Sequence, residues 1–206
     1  MILFDLTNSE QHPVYRALEA SNISRQYNFL ESIVAAAVEI GRAFLSAHII
    51  KALNAQAITC LHINVGEYRP CEVRVGDYCP PEHYRVDALM EDFVNVVNRS
   101  WEASDPVELA AFVLWRLNYI HPFINGNGRA ARAASYFVLC VKMGGWLPGN
   151  IILPALIKRE RQRYVDALQT ADRSLVTGTI DLTALHGLLS ELLSEQINVG
   201  PNGIER

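Results

Sequence analysis

Apolar residues return every three or four positions through most of this chain, the signature of amphipathic helices. Phe29, Leu30, Ile33, Val34, Ala37, Val38, Ile40, Phe44, Leu45, Ile49 and Leu53 predict helix over 27–53, with Gly41 splitting or kinking it. Leu89, Phe93, Val96 and Val97 predict a helix to about Trp101, capped by Asp87. Asp105-Pro106-Val107-Glu108 puts Asp at the N-cap, Pro at N1 and Glu at N3, and so starts the helix that carries Ala110 to Ile120. Another runs from about Gly128 to Met143; it is apolar most of the way round, which predicts burial, and Gly144-Gly145 stops it. Ile157–Thr170 and a leucine-rich stretch opened by Asp181 add two more. Residues 1–24 read as a short arm with one turn of helix around Tyr15–Ala20, and NVGPNGIER as a fraying tail. The period shortens to two only at Cys71-Glu72-Val73-Arg74-Val75, between Gly66 and Gly76, which predicts a small β-hairpin over 63–79. The expected fold is mainly α, with this hairpin as its only clear β structure.

Composition narrows the picture. With 206 residues, half of them hydrophobic, the chain can bury one core. A net charge of -4 and a pI near 5.9 leave no basic footprint for nucleic acid. The start, MILFDLTNSEQ, lacks the pattern of a secretory signal. The longest apolar run is broken by Glu39, Arg42 and His48, which suits an amphipathic helix rather than a membrane span, so a cytoplasmic protein is expected. Cys60, Cys71, Cys79 and Cys140 match no paired zinc spacing and read as reduced thiols. Lys158, Arg159, Arg161 and Arg163 read as a solvated face, with target docking as the alternative.

The chemistry concentrates in His121–Arg132, HPFINGNGRAAR. Pro122 ends the preceding helix and leaves His121 at its terminus. Gly126-Asn127-Gly128 permits a turn that aims successive N–H groups into one concavity, and the helix opening there adds its positive dipole end. Arg129 and Arg132 share a face of that first turn, where the dipole repels cations, so an anion is needed to account for them. The simplest ligand is a di- or triphosphate, with His121 as base for an incoming nucleophile.

At these residues the chain resembles the Fic (filamentation induced by cAMP) domain family, whose signature reads HPFx(D/E)GN(G/K)RxxR. His121, Pro122, Phe123, Gly126, Asn127, Gly128, Arg129 and Arg132 match; Asn125 stands where the family has Asp or Glu. The stretch Glu67-Tyr68-Arg69 followed by Val73 and Val75 resembles the family's flap, which holds a target's backbone by strand addition. The resemblance implies a Fic-like domain over 27–198, with an arm at 1–26 and a disordered tail at 199–206. It implies a protein adenylyltransferase: His121 deprotonates a Ser, Thr or Tyr hydroxyl of a target protein, and AMP passes to it from ATP. Asn127 and the N–H groups of Gly126 and Gly128 would hold phosphate, Arg129 the β-phosphate and Arg132 the γ-phosphate. Phe123 anchors the loop. Magnesium would sit at Asn125, weakly, because an amide oxygen brings no charge.

The alternatives are a Fic-type transferase of another nucleotide or phosphate-containing group, and a weakly catalytic nucleotide-binding module. The resemblance also implies an inhibitory glutamate in the pattern (S/T)xxxE(G/N). Only Ser104…Glu108 has that spacing, and Leu109 breaks it, so control is expected from a separate inhibitory subunit, from oligomerisation such as a homodimer, or from the weakened metal site.

Overall fold

The computed structural model describes residues 2–41, 44–176 and 178–198. The tail and the residues at the break after Gly41 lie outside them. Helix α1 spans Leu3–Thr7, α2 Pro13–Ile40 and α3 Ala47–Ile58. After a long irregular segment come α4 (Val86–Ser100), α5 (Pro106–Ile120), α6 (Asn127–Lys142), α7 (Leu153–Arg159), α8 (Arg161–Val176) and α9 (Thr183–Asn198). None of these helices is long and apolar enough to cross a membrane.

Helix α6 is the axis. Ala130, Ala131, Ala133, Ala134, Tyr136, Phe137, Val138, Leu139 and Cys140 are all buried, so it is covered on every side, as its apolar circumference predicts. Its small residues let α5 lie close alongside, and the Ser135 hydroxyl donates to the carbonyl of Ala110 at 2.8 Å. Helices α2 and α3 cover one flank of α6; α7 and α9 close the far end. Trp115 Nε1 donates to Asp172 at 2.8 Å, tying α5 to α8.

Two helix ends behave as read. Asp105 accepts from the N–H groups of Val107 and Glu108, and Gly41 ends α2 in the left-handed region at φ 65°. Asp87 does not cap its helix; it lies in the first turn of α4, which a 3-10 turn at His83–Arg85 leads into. Glu160 separates α7 from α8 where one helix was predicted.

Two larger expectations are corrected. Residues 13–26 are not an arm: α2 runs unbroken for 28 residues. Its buried face there carries Tyr15, Asn22 and Gln26, two of them polar, which hid the period. Asn22 Nδ2 donates to the carbonyl of Thr59 and Gln26 Nε2 to that of Leu53, each at 2.9 Å, so burial costs neither amide its partner.

The segment 63–79 forms no strand among the described residues; a single antiparallel bridge joins Val75 to Tyr78. The reason lies in Arg69. Its guanidinium donates to the carbonyls of Cys71, Pro81 and His121, and these side-chain bonds take the place of a strand ladder.

Candidate active site

The loop between α5 and α6 is fastened from three sides. Phe123 is fully buried beneath it, against Tyr68. The Arg69 backbone N–H donates to the carbonyl of Pro122 at 2.8 Å and its Nε to that of His121 at 2.9 Å. Buried Asn54 of α3 donates to the carbonyl of Asn125 at 2.9 Å and accepts from the N–H of Gly66 at 3.1 Å. Gly126 takes φ 78°, and a Cβ there would sit 2.5 Å from Ile58 Cγ2 and 2.9 Å from Asn54 Nδ2. Both conformation and space demand glycine.

Asn127 has a different task from the one predicted. Its side chain is buried; Oδ1 accepts from the N–H of Phe123 and Nδ2 donates to the carbonyl of the same residue, both at 2.8 Å. The amide is spent on the loop, and what Asn127 offers the cavity is its backbone. No side chain caps α6, so the N–H groups of Asn127, Gly128 and Arg129 have no partner within the helix. They are donors available to an anion, with the helix dipole behind them.

The arginines divide. Arg129 donates to Asn125 Oδ1 at 2.7 Å and to the carbonyl of Ala57 at 3.2 Å, and pairs with Glu19 of α2 at 3.0 Å. Arg132 folds back over Gly128, and its Nε is buried without a hydrogen-bond partner among the described residues. An unmatched buried donor at the edge of an anion site is what a phosphate would satisfy. Freeing Arg129 is therefore expected to strengthen nucleotide binding. Glu19→Ala should tighten ATP roughly fivefold by calorimetry, since a partly exposed ion pair is worth on the order of 1 kcal/mol. An unchanged or weaker affinity would show that the pair does not compete with nucleotide.

His121 sits in the left-handed region at φ 51°. Its Nδ1 lies 3.3 Å from the carbonyl of Asn118. A carbonyl only accepts, so Nδ1 carries the hydrogen and Nε2 keeps its lone pair. Burial pulls the imidazole down to about 4; the Asn118 carbonyl opposes this and the Arg69 charge adds to it. The ring stays neutral, and able to accept a proton, throughout the neutral range. The depressed value also sets a sign for stability. The unfolded chain takes up the proton first as pH falls below about 6.5, so His121 erodes stability from there down to about 4 and no further. Urea midpoints measured across that window should fall more steeply for the wild type than for His121→Gln.

Two cavities meet at the loop. One, of ≈560 Å³, lies over the amino end of α6, with Asn125, Gly128, Arg129 and Arg132 in its wall. The other, of ≈410 Å³, is more aromatic, with Trp115, Tyr119, Tyr78 and Tyr164. Val75, His121, Gly128, Arg132 and Lys158 line both. Together they give a polar end and a more apolar end, joined at the histidine.

Of the predicted flap residues Glu67, Tyr68, Arg69, Val73 and Val75, Val75 alone lines these cavities; from the rest of the segment Arg74 and Tyr78 line them too. Val73 is half-buried, Glu67 pairs with Lys51 at 2.9 Å, and Tyr68 and Arg69 brace the loop from behind. The basic run also splits: Arg159 and Arg163 make two-pronged bonds to Glu195 and Glu191, whereas Lys158 and Arg161 line the cavity.

The residues do not fit a resident magnesium. Asn125 Oδ1, the oxygen that would bind it, accepts from Arg129, and Nδ2 donates to Glu10 at 3.0 Å. Among the described residues no three His, Cys, Asp or Glu side chains stand together as a metal site. Sequence reading missed Glu10, Glu19 and Asn54. The first two lie over a hundred residues from the loop; Asn54 left a trace, as an amide in a largely apolar run.

Residues 44–139 match the sequence model of the Fic/DOC family. A protein adenylyltransferase Fic of Drosophila willistoni is 35% identical over 111 residues, 53% of this chain and 21% of that protein. The corresponding protein of Drosophila virilis is 34% identical over the same share of each. The chain thus matches about a fifth of the length of these curated relatives. Among solved structures, Fic-1 of C. elegans superposes with a TM-score of 0.67 at 22% identity, over 85% of this chain and 48% of that one. A VirB-translocated effector of Bartonella tribocorum with bound AMPPNP gives 0.54 at 14% identity, over 82% and 86%.

Proposed function

With a Fic/DOC-family domain at residues 44–139, we propose that the protein is a Fic-type transferase that moves AMP from ATP to a Ser, Thr or Tyr hydroxyl of a target protein. The observation that carries this reading is the pairing of an anion site at the start of α6 with an imidazole whose Nε2 is free. Relatives bearing the name protein adenylyltransferase and the AMPPNP-bound neighbour support the choice of adenine nucleotide.

In this reading the phosphates lie on the N–H groups of Asn127, Gly128 and Arg129, and Arg132 takes the outer phosphate with its unmatched donors. Arg129 joins when Glu19 releases it. The base and ribose occupy the aromatic cavity. The target's hydroxyl approaches along Val75, and His121 Nε2 takes its proton as the oxygen bonds to the α-phosphorus. The bond from that phosphorus to the bridging oxygen breaks, pyrophosphate leaves, and the histidine returns its proton to solvent. Magnesium belongs to the triphosphate rather than to the chain, because Asn125 is committed to Arg129 and Glu10. We place the reaction in the cytoplasm.

A second reading has two observations in its favour. The occupied Asn125 and the Glu19–Arg129 pair both suit a nucleotide binder with slow turnover. Incubation with α-³²P-labelled ATP and Mg²⁺ tests both. Label on the wild-type chain supports transfer, and Asn125→Asp is expected to raise it by tenfold or more. A carboxylate at 125 adds an anionic ligand and repels Glu10, and a unit charge at 4 Å is worth about 4 kcal/mol at most near an effective dielectric of 20. No label on either protein, with ATP still bound, would favour the binder.

A further inference from the structure

The aromatic cavity of ≈410 Å³ carries a carboxylate that neither the fold nor the transfer step accounts for: Asp172, on the same wall as Trp115, Tyr119 and Tyr164. Asp172 is half-buried, and its hydrogen bond among the described residues is the 2.8 Å bond that Oδ1 accepts from Trp115 Nε1. That tie between α5 and α8 needs only a neutral acceptor. An amide would make it with less desolvation than a charge. The second oxygen, Oδ2, has no hydrogen-bond partner among the described residues. Burial pushes the carboxyl up, against the Trp115 bond and the Arg173 charge.

The hydrogens of the neighbouring polar groups are already committed to the protein. The Tyr78 hydroxyl donates to the carbonyl of Tyr119 at 2.6 Å. Asn118 Nδ2 donates to the carbonyl of Leu114 and to the Tyr164 hydroxyl, both at 2.7 Å. The acceptor oxygens left over are Asp172 Oδ2 and Asn118 Oδ1. The cations of this cavity stand elsewhere. Arg132 and Lys158 line the polar cavity as well, and Arg161 lies three turns from Asp172 on α8, about 16 Å along its axis. In a largely apolar pocket, a few placed polar groups decide which ligand fits. Here the placed group is an acceptor in need of a donor.

We propose that Asp172 selects the nucleobase, by accepting a hydrogen bond from an exocyclic amino group such as that of adenine. This selection rests on the placement of the base in the aromatic cavity proposed above. Hypoxanthine has the shape of adenine but carries an oxygen where adenine carries its amino group. Against Asp172 it would set oxygen against oxygen, with no hydrogen between them. A site built to bond a polar group rejects the analogue without it far more strongly than an apolar pocket rejects a small change of shape.

The test is calorimetry of the full chain with ATP and with inosine triphosphate, each with Mg²⁺. ATP should bind the wild type at least tenfold tighter, the scale of one hydrogen bond to a charged group. Asp172→Asn keeps an oxygen for Trp115 and presents an N–H where Oδ2 stood. It should weaken ATP, tighten inosine triphosphate and bring the two affinities close together. A purely structural role for Asp172 would weaken both nucleotides alike and leave their ratio unchanged. Equal affinity of the wild type for the two, or a preference that survives in Asp172→Asn, overturns the assignment and leaves the nucleotide site standing. Binding of neither nucleotide to the wild type overturns the nucleotide site and the assignment with it.

Discussion

His121→Ala is expected to abolish detectable transfer while leaving ATP binding nearly intact. Loss of a general base lowers the rate by about 10²- to 10⁴-fold. The variant keeps the loop, because what Arg69 holds at position 121 is the backbone carbonyl and not the ring. Alanine at φ 51° adds about 1 kcal/mol of strain, so a modest loss of stability accompanies the loss of rate. His121→Asn controls for this, since asparagine tolerates the left-handed region. Label incorporation and calorimetric affinity, measured on all three proteins, separate the roles. A rate that survives in both variants would remove His121 as the base and end the proposed mechanism.

Asn127→Asp should be the most disruptive change of similar shape. It puts a carboxylate oxygen against the Phe123 carbonyl, in a site only 4% exposed, and removes the donor that oxygen needs. Leaving a buried group unpaired beside a buried charge costs roughly 3 kcal/mol, or about 10 °C in Tm for a chain of this size. Were the side chain a phosphate ligand, the variant would fold normally and lose only nucleotide affinity. Thermal unfolding without nucleotide therefore decides between loop pin and ligand.

The parts of the site that could be read from sequence are those contiguous in it. His121, the glycines and the two arginines sit within twelve residues, and the cap at Asp105 locates the helix that presents them. What could not be read depends on distance or on local exceptions. Glu19 meets Arg129 across 110 positions, and no periodicity links them. Asn22 and Gln26 broke the apolar stripe of α2, although carbonyls of the α3 segment satisfy them inside the core. The alternation at 71–75 signals a strand only if the backbone pairs, and here the Arg69 fork takes the Cys71 carbonyl and ties the segment to the carbonyls of Pro81 and His121. Asn127 resembled a ligand because it stands between two glycines at a helix start; its burial is a property of the fold.

The length of α2 has a consequence for modularity. The stretch recognisable as a family domain starts at residue 44, after this helix ends. Cut there, the chain would leave the carbonyls of Leu53 and Thr59 without their amides and strip Leu30 and Val34 from the core. The portable unit of sequence is thus smaller than the cooperative unit of folding. A chimera that borrows the motif must also borrow the helices that fold it, with Glu19 of α2 among their residues, and so inherits the ion pair on Arg129 along with the loop.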